Sequence, residues 1–280
     1  MMIKKALFTL SAILLITTAY SQNNEKIKGS RNVTTQETPI NSFNRIVVGE
    51  DFKIDLIEGP SASVFVEADD NLHDVIKFYV TDSTLTFNTS MRITTSKKIS
   101  IKVSYTQALK YIETIEGAEV SSLTSINLDE VVLKHSGTSR AYLNIKTSKL
   151  KLINSEKAKL KLNINAKLAS LELNENSKTE ALIQSDSIQV DLYQRSEAKI
   201  EGDADYLNIR ADNYSNFVGK NLSANSCDII ADLNCDVYVQ VIDNLSIEAS
   251  GNSEVYIYEN PTIALKKFSD SAKLHKKELK

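Results

Sequence analysis

Proline is scarce in this sequence, with 3 in 280 residues. Proline has no N–H to give a sheet ladder, so its scarcity leaves room for long unbroken strands. Histidine is scarce too. His73, His135 and His275 lie far apart, none with a second ligand at metal spacing, so no metal site is expected. His135 reads as a hydrogen-bonded histidine beside a corner rather than a base. With 2 cysteines the chain is no disulfide-built scaffold. Zinc-protease, phosphate-loop, dinucleotide and Gly-x-Ser-x-Gly motifs are all missing, and no cofactor is expected. The Gly-Gly-x-Gly-x-Asp repeats of calcium-binding coils are missing as well. Lys plus Arg number 33 against 36 for Asp plus Glu, which is no footprint for a nucleic-acid partner.

Long apolar runs are confined to the start. Lys4 and Lys5, the apolar stretch 6–18 and Ala19-Tyr20-Ser21 have the order of a secretory signal peptide over 1–21, cut before Gln22. The run is short of the roughly twenty residues that cross a bilayer, so the mature chain is expected to have no transmembrane segment. Without Lys4 and Lys5 the formal charge moves from −3 to −5. The expected location is therefore outside the inner membrane: periplasm, outer-membrane surface or extracellular. No cysteine lies near the cut to carry a lipid.

From Leu109 to Tyr258 a pattern of about nineteen residues recurs. One column holds Ala118, Ser139, Ala158, Ser177, Ser196, Ser215, Cys235 and Ser253, spaced by 21, 19, 19, 19, 19, 20 and 18. Six residues earlier stand Ile112, Leu133, Leu152, Leu171, Val190, Ile209, Ile229 and Ile247. The residue after the small one is always polar, from Glu119 and Arg140 to Glu254, and the next is apolar in all but Thr179. Alternation of period two within a repeat of about twenty predicts strands stacked into a solenoid. Turns such as Ser136-Gly137, Asn154-Ser155 and Ser250-Gly251 separate the strands, since Gly and Asn accept the positive φ of tight corners. A β-sandwich is the rival, but it would not keep whole columns in character. A leucine-rich repeat lacks its helical half here. The reading is an all-β fold with about eight coils over 108–262, an irregular capping section over 43–107 and a degraded closing coil over 263–274. Within that cap strands are expected at 43–48, 52–57, 63–68, 76–80, 85–88 and 99–104. A short helical turn is expected at 69–74 and an exposed loop at 94–98. Residues 22–42 read as a flexible polar leader, or at most one loose strand, and 275–280 as a frayed basic tail.

Several of these residues also carry a family likeness. The opening Phe43, Ile46, Val48, then Phe52, Ile54, Leu56 and Gly59, leads into Val64, Val66 and Ala68-Asp69-Asp70-Asn71-Leu72. Ser-Gly corners follow at 136–137 and 250–251, with Glu116-Gly117 close to them, and the chain closes on Tyr258-Glu259-Asn260-Pro261. In this order and spacing the sequence resembles the head GIN domain of auto-transporter adhesins of Bacteroidetes-type bacteria, over about 43–274. The close departs from the family's Tyr-x-Gly-x-Pro, with Asn for Gly and the proline one place on. The resemblance implies a right-handed parallel β-helix-like fold, a surface-associated role and no catalytic residues.

Residues with chemistry are thinly spread. β-Helices can host polysaccharide-cleaving enzymes, which need two carboxyls some 5–10 Å apart across a cleft. Asp69 and Asp70 are adjacent, which on a strand would turn them to opposite faces. Cys227 and Cys235 both fall on inward columns of opposite strands, farther apart than a disulfide spans, and are expected as packed thiols. Outward tyrosines are the binding candidates: Tyr142, Tyr238 and Tyr256 share one column, and Tyr193 lies on another. Lys161, Glu180 and Lys199 interrupt that column. The functional expectation is an exported, non-enzymatic binding or structural module whose partner is an envelope protein or a glycan. A polysaccharide-active enzyme and an envelope protein self-associating through its ends into a homo-oligomer are the alternatives.

Overall fold

The computed structural model describes residues 25–278; the expected signal peptide and its cut lie outside them. The strands build a β-solenoid of about 9 turns of ~19 residues behind an irregular N-terminal region. The regular part consists of the strands Arg140–Asn154, Lys159–Leu173, Lys178–Leu192, Glu197–Ala211, Asn216–Ala231 and Asp236–Ala249, each parallel to the next. The sequence repeat is the register of this ladder. Leu152 stands beside Leu171, Leu171 beside Val190 and Val190 beside Ile209. All four are fully buried, so each rung covers the core of the one before it.

The small column also lies where the repeat puts it. Ser139, Ala158, Ser177, Ser196 and Cys235 are all 0% exposed. Ahead of each sits a corner residue in the left-handed region, from Glu116 through Gly137, Glu156, Glu175, Gln194, Asn213, Leu233 and Gly251 to Asp270. Acidic residues there are braced from the neighbouring rung: Gly137 N–H donates to Glu156 Oε2 at 2.8 Å, and Gly251 N–H to Asp270 Oδ2 at 3.1 Å. At Gly137 an added Cβ would meet the Glu116 backbone at 2.6 Å, so glycine lets the two corners close up.

The opposite corner, which no turn residues mark in the sequence, is built differently. The chain bends within one continuous strand. Thr147 pairs with Ala166 and Lys149 with Leu168, while Ser148 and Lys167 drop out of the ladder. Hydroxyls brace the bend: Thr147 Oγ1 donates to Asp129 O at 2.8 Å and Ser185 Oγ to Lys167 O at 3.0 Å. Thr147, Ala166, Ser185, Ala204 and Ala224 form a second small column there, joined by the register.

In the N-terminal region the parallel stack continues through Arg45–Val48 beside Tyr111–Thr114 and Lys53–Glu58 beside Glu119–Ser122. Antiparallel pairs close it off: Ser63–Asp69 with Ile99–Tyr105, and Ile76–Thr81 with Thr84–Thr89. The expected helical turn is a 3-10 turn at Asp70–Leu72. The segment expected as a flexible leader is ordered into strands from Lys26 on. Lys26–Lys28 pairs with Arg92–Thr95, which takes in part of the expected loop, and Val33–Pro39 runs antiparallel to Ser63–Asp69. Besides these ladders, side chains of the 69–71 turn hold the segment: Asp70 and Asn71 bond Asn32 and Lys28, and Asp69, fully buried, accepts N–H donors from Arg31, Lys97 and Lys98 at 3.0–3.2 Å. Burial raises this carboxyl, but the backbone donors of Lys97, Arg31 and Lys98 outweigh it and hold it below the usual range.

At the far end Thr262–Phe268 and Lys273–Lys276 complete a closing rung. The basic tail is therefore strand as far as Lys276, because Lys273, Leu274 and His275 take the next places in the columns of Glu254, Val255 and Tyr256.

Candidate functional site

Outward side chains form columns as regular as the core. The column of Tyr142 continues through Lys161, Glu180, Lys199 and Val218 to Tyr238, Tyr256 and His275. Two of the predicted tyrosines thus come together. The rings of Tyr238 and Tyr256 stack 4.2 Å apart at 3°, and His275 continues the stack at 4.6 Å. Their faces are spent on each other. Tyr256 Oη donates to Glu254 Oε2 at 2.5 Å, a bond that raises the tyrosine. Lys273 and Tyr256 hold Glu254 down to about 2.

Tyr193 is elsewhere, at a corner, with the Arg210 guanidinium 6.0 Å from its ring centroid. Tyr142 stands apart from the stack by five rungs, about 24 Å at ~4.8 Å per strand. Tyr142 is 41% exposed. It opens a shallow groove of about 520 Å³ that crosses the rungs past Asn144, Lys161, Asn163, Glu180, Leu182 and Lys199 to Glu201. The charged members are paired, Lys161 with Glu180 at 3.5 Å and Lys199 with Glu201 at 3.1 Å. Hydrogen bonds from Lys199 and Asn221 keep Glu201 below the usual carboxylate range. A bulge at the end of the groove, where Gly202 takes φ 120°, adjusts the strand around Glu201. Any Cβ at Gly202 would meet Ile183 O at 2.0 Å.

The sequence reading singled out Tyr142 but missed Asn144, Asn163 and Leu182 beside it. They occupy one column, five residues after the small one, and the register joins them. Asparagine is depleted in strands, so two in successive rungs were a signal open to reading.

The buried groups are not gathered into a second site. His135 Nδ1 and Thr114 Oγ1 are 2.5 Å apart, and burial lowers the imidazole to about 3. Cys227 and Cys235 are free and buried, and burial pushes both thiols up. Among the described residues no three His, Cys, Asp or Glu stand together to hold a metal, and no helix is long and apolar enough to cross a membrane.

The family described as "Putative auto-transporter adhesin, head GIN domain" matches residues 42–182 and 149–261. The chain belongs to this family. The two matches overlap, as a repeating coil allows. Among solved structures, a putative adhesin from Parabacteroides distasonis ATCC 8503 is similar at 20% identity and TM-score 0.59, covering 91% of this chain and 100% of that one. A putative adhesin from Parabacteroides merdae ATCC 43184 follows at 17% identity and TM-score 0.57, with the same coverage. A protein from P. distasonis described as a putative lipid binding protein is similar at 17% identity and TM-score 0.55, again over 91% and 100%. At these identities the likeness is one of fold. No curated protein matches the chain.

Proposed function

We propose that this protein is an exported, non-enzymatic binding module that acts at the bacterial cell envelope, holding a partner against the outer faces of its solenoid. The observation that carries this is the groove at Tyr142: side chains on a rigid ladder, fixed at one-rung intervals, over a surface open to water. Such a surface can hold an extended partner. It does not sequester reacting atoms from solvent, as catalysis by fixed dipoles and displaced water requires. Membership of the adhesin family supports the same reading. The test is adhesion of the purified protein to isolated envelope fractions and whole cells of the bacterium that produces it. Saturable binding at micromolar concentration is expected. Release of reducing ends from envelope polysaccharide, lost in Glu180→Gln or Glu201→Gln, would replace the proposal with an enzyme.

A further inference from the structure

Resting on that binding role, the geometry narrows the ligand: we infer that the groove from Tyr142 to Glu201 holds a neutral, extended polysaccharide lying along the solenoid axis. Three observations converge. First, the only ring of the tyrosine column left unstacked is that of Tyr142. The stacks at Tyr238, Tyr256 and His275 use up the others. An open ring on a rigid strand can receive the C–H face of a sugar.

Second, the polar groups beside it suit hydroxyls. The side-chain amides of Asn144 and Asn163 line the groove one rung apart. Each offers two donors and an acceptor, and among the described residues neither amide is engaged by another side chain. Leu182, next in that column, is 47% exposed and supplies an apolar contact. Amide beside apolar surface matches a pyranose, which presents hydroxyls at its rim and C–H groups on its faces.

Third, the cations of the groove are taken. Lys161 is paired with Glu180 and Lys199 with Glu201. An acidic sugar would have to displace a carboxylate from its lysine and then lie against it, whereas a neutral sugar can accept and donate with both charges left paired. The direction follows from spacing. Strands climb about 4.8 Å per rung, close to the rise of one extended pyranose residue, so successive sugars meet successive rungs.

Calorimetry of the purified protein decides this, with cellohexaose, mannohexaose and chitohexaose as neutral probes and oligogalacturonate and alginate hexamers as acidic ones. At least one neutral hexamer is expected to bind, more tightly than its trimer and than either acidic probe. Tyr142→Ala should weaken it about tenfold or more, and Asn144→Ala with Asn163→Ala should do likewise. Tyr238→Ala, whose ring is already stacked, should leave it unchanged, and thermal melts will show that the variants fold. Tighter binding of the acidic hexamers, or a Tyr142→Ala protein that binds as well as the parent, would overturn the inference. If no neutral hexamer binds while the protein still adheres to envelope fractions, this ligand class is wrong and the binding role stands. If it adheres to nothing, both fall.

Discussion

The regular rungs from Arg140 to Ala231 and the N-terminal region before Tyr111 hold together by different means. Among the rungs the core contacts repeat from one to the next. Leu171 lies between Leu152 and Val190, and the same arrangement recurs above and below. In the N-terminal region each contact occurs once. Phe87 packs against Phe52 at 5.8 Å and Phe78 at 6.1 Å, and Asp69 alone ties the first strands to the loop at 97–98. Repetition spreads the cohesive energy along the axis, while the cap concentrates it in a few hubs. Loss of one residue should therefore be felt differently in the two regions.

The largest effect is expected in the rungs. Leu171→Ala removes a fully buried side chain between two others and should cost about 2–5 kcal/mol in a denaturant melt. A melt unchanged from the parent would mean that the inner stack is not what binds rung to rung. Ser177→Leu forces a large side chain into a corner with no exposed surface, and overpacking of this kind costs about 1–3 kcal/mol. The same substitution at Ser187, which is only partly buried, should cost less.

Acid should act where the two regions meet, at His135 against Thr114. The imidazole titrates at 6.5 when unfolded and at about 3 in the folded chain. Between these values the unfolded state binds the extra proton. Stability from this group is thus complete above pH 6.5 and falls by about 1.4 kcal/mol per pH unit as the pH drops toward 3. Denaturant melts from pH 7 to 4 should show that slope, and His135→Leu should flatten it. An equal slope in the variant would assign acid sensitivity to other groups.

A hub should fail locally. Asp69→Asn is expected to raise hydrogen exchange across 26–39 and 92–98 and leave the amides of 140–231 protected. Uniform loss of protection would show that cap and rungs unfold together. The smallest effect belongs to the outer face. Lys178 meets Glu197 at 2.8 Å, both half exposed, and Lys178→Ala should cost under about 0.5 kcal/mol.

The same contrast explains what could be read from the sequence. Because the columns are sampled again in rung after rung, chance substitutions such as Thr179 or Cys235 did not hide them, and both residues are buried where the repeat puts them. The order of the strands in the cap was legible from local alternation, but their partners were not. Val33–Pro39 has little apolar character of its own, and it is held by its ladder with Ser63–Asp69 and by distant side chains at Asp69, Asp70 and Asn71 that bond the chain just ahead of it. The second corner was missed although its small column was as regular as the first, since no Gly or Asn turn marks it. At the candidate site the aromatic was legible. Which of the four tyrosines keeps an open ring depends on stacking between rungs, and no single repeat contains that information.

The recurring left-handed corner makes length an independent property of this molecule. Each rung leaves its corner through a small buried residue and enters the next strand in the same orientation, so rungs are interchangeable units along the axis. Excising 159–177 would bring Ala158 next to Lys178, a residue in the same column as the Lys159 it replaces. A gene for such a protein can therefore lengthen or shorten its product like a ruler marked in rungs, about 4.8 Å at a time, while the irregular cap at one end stays as it is.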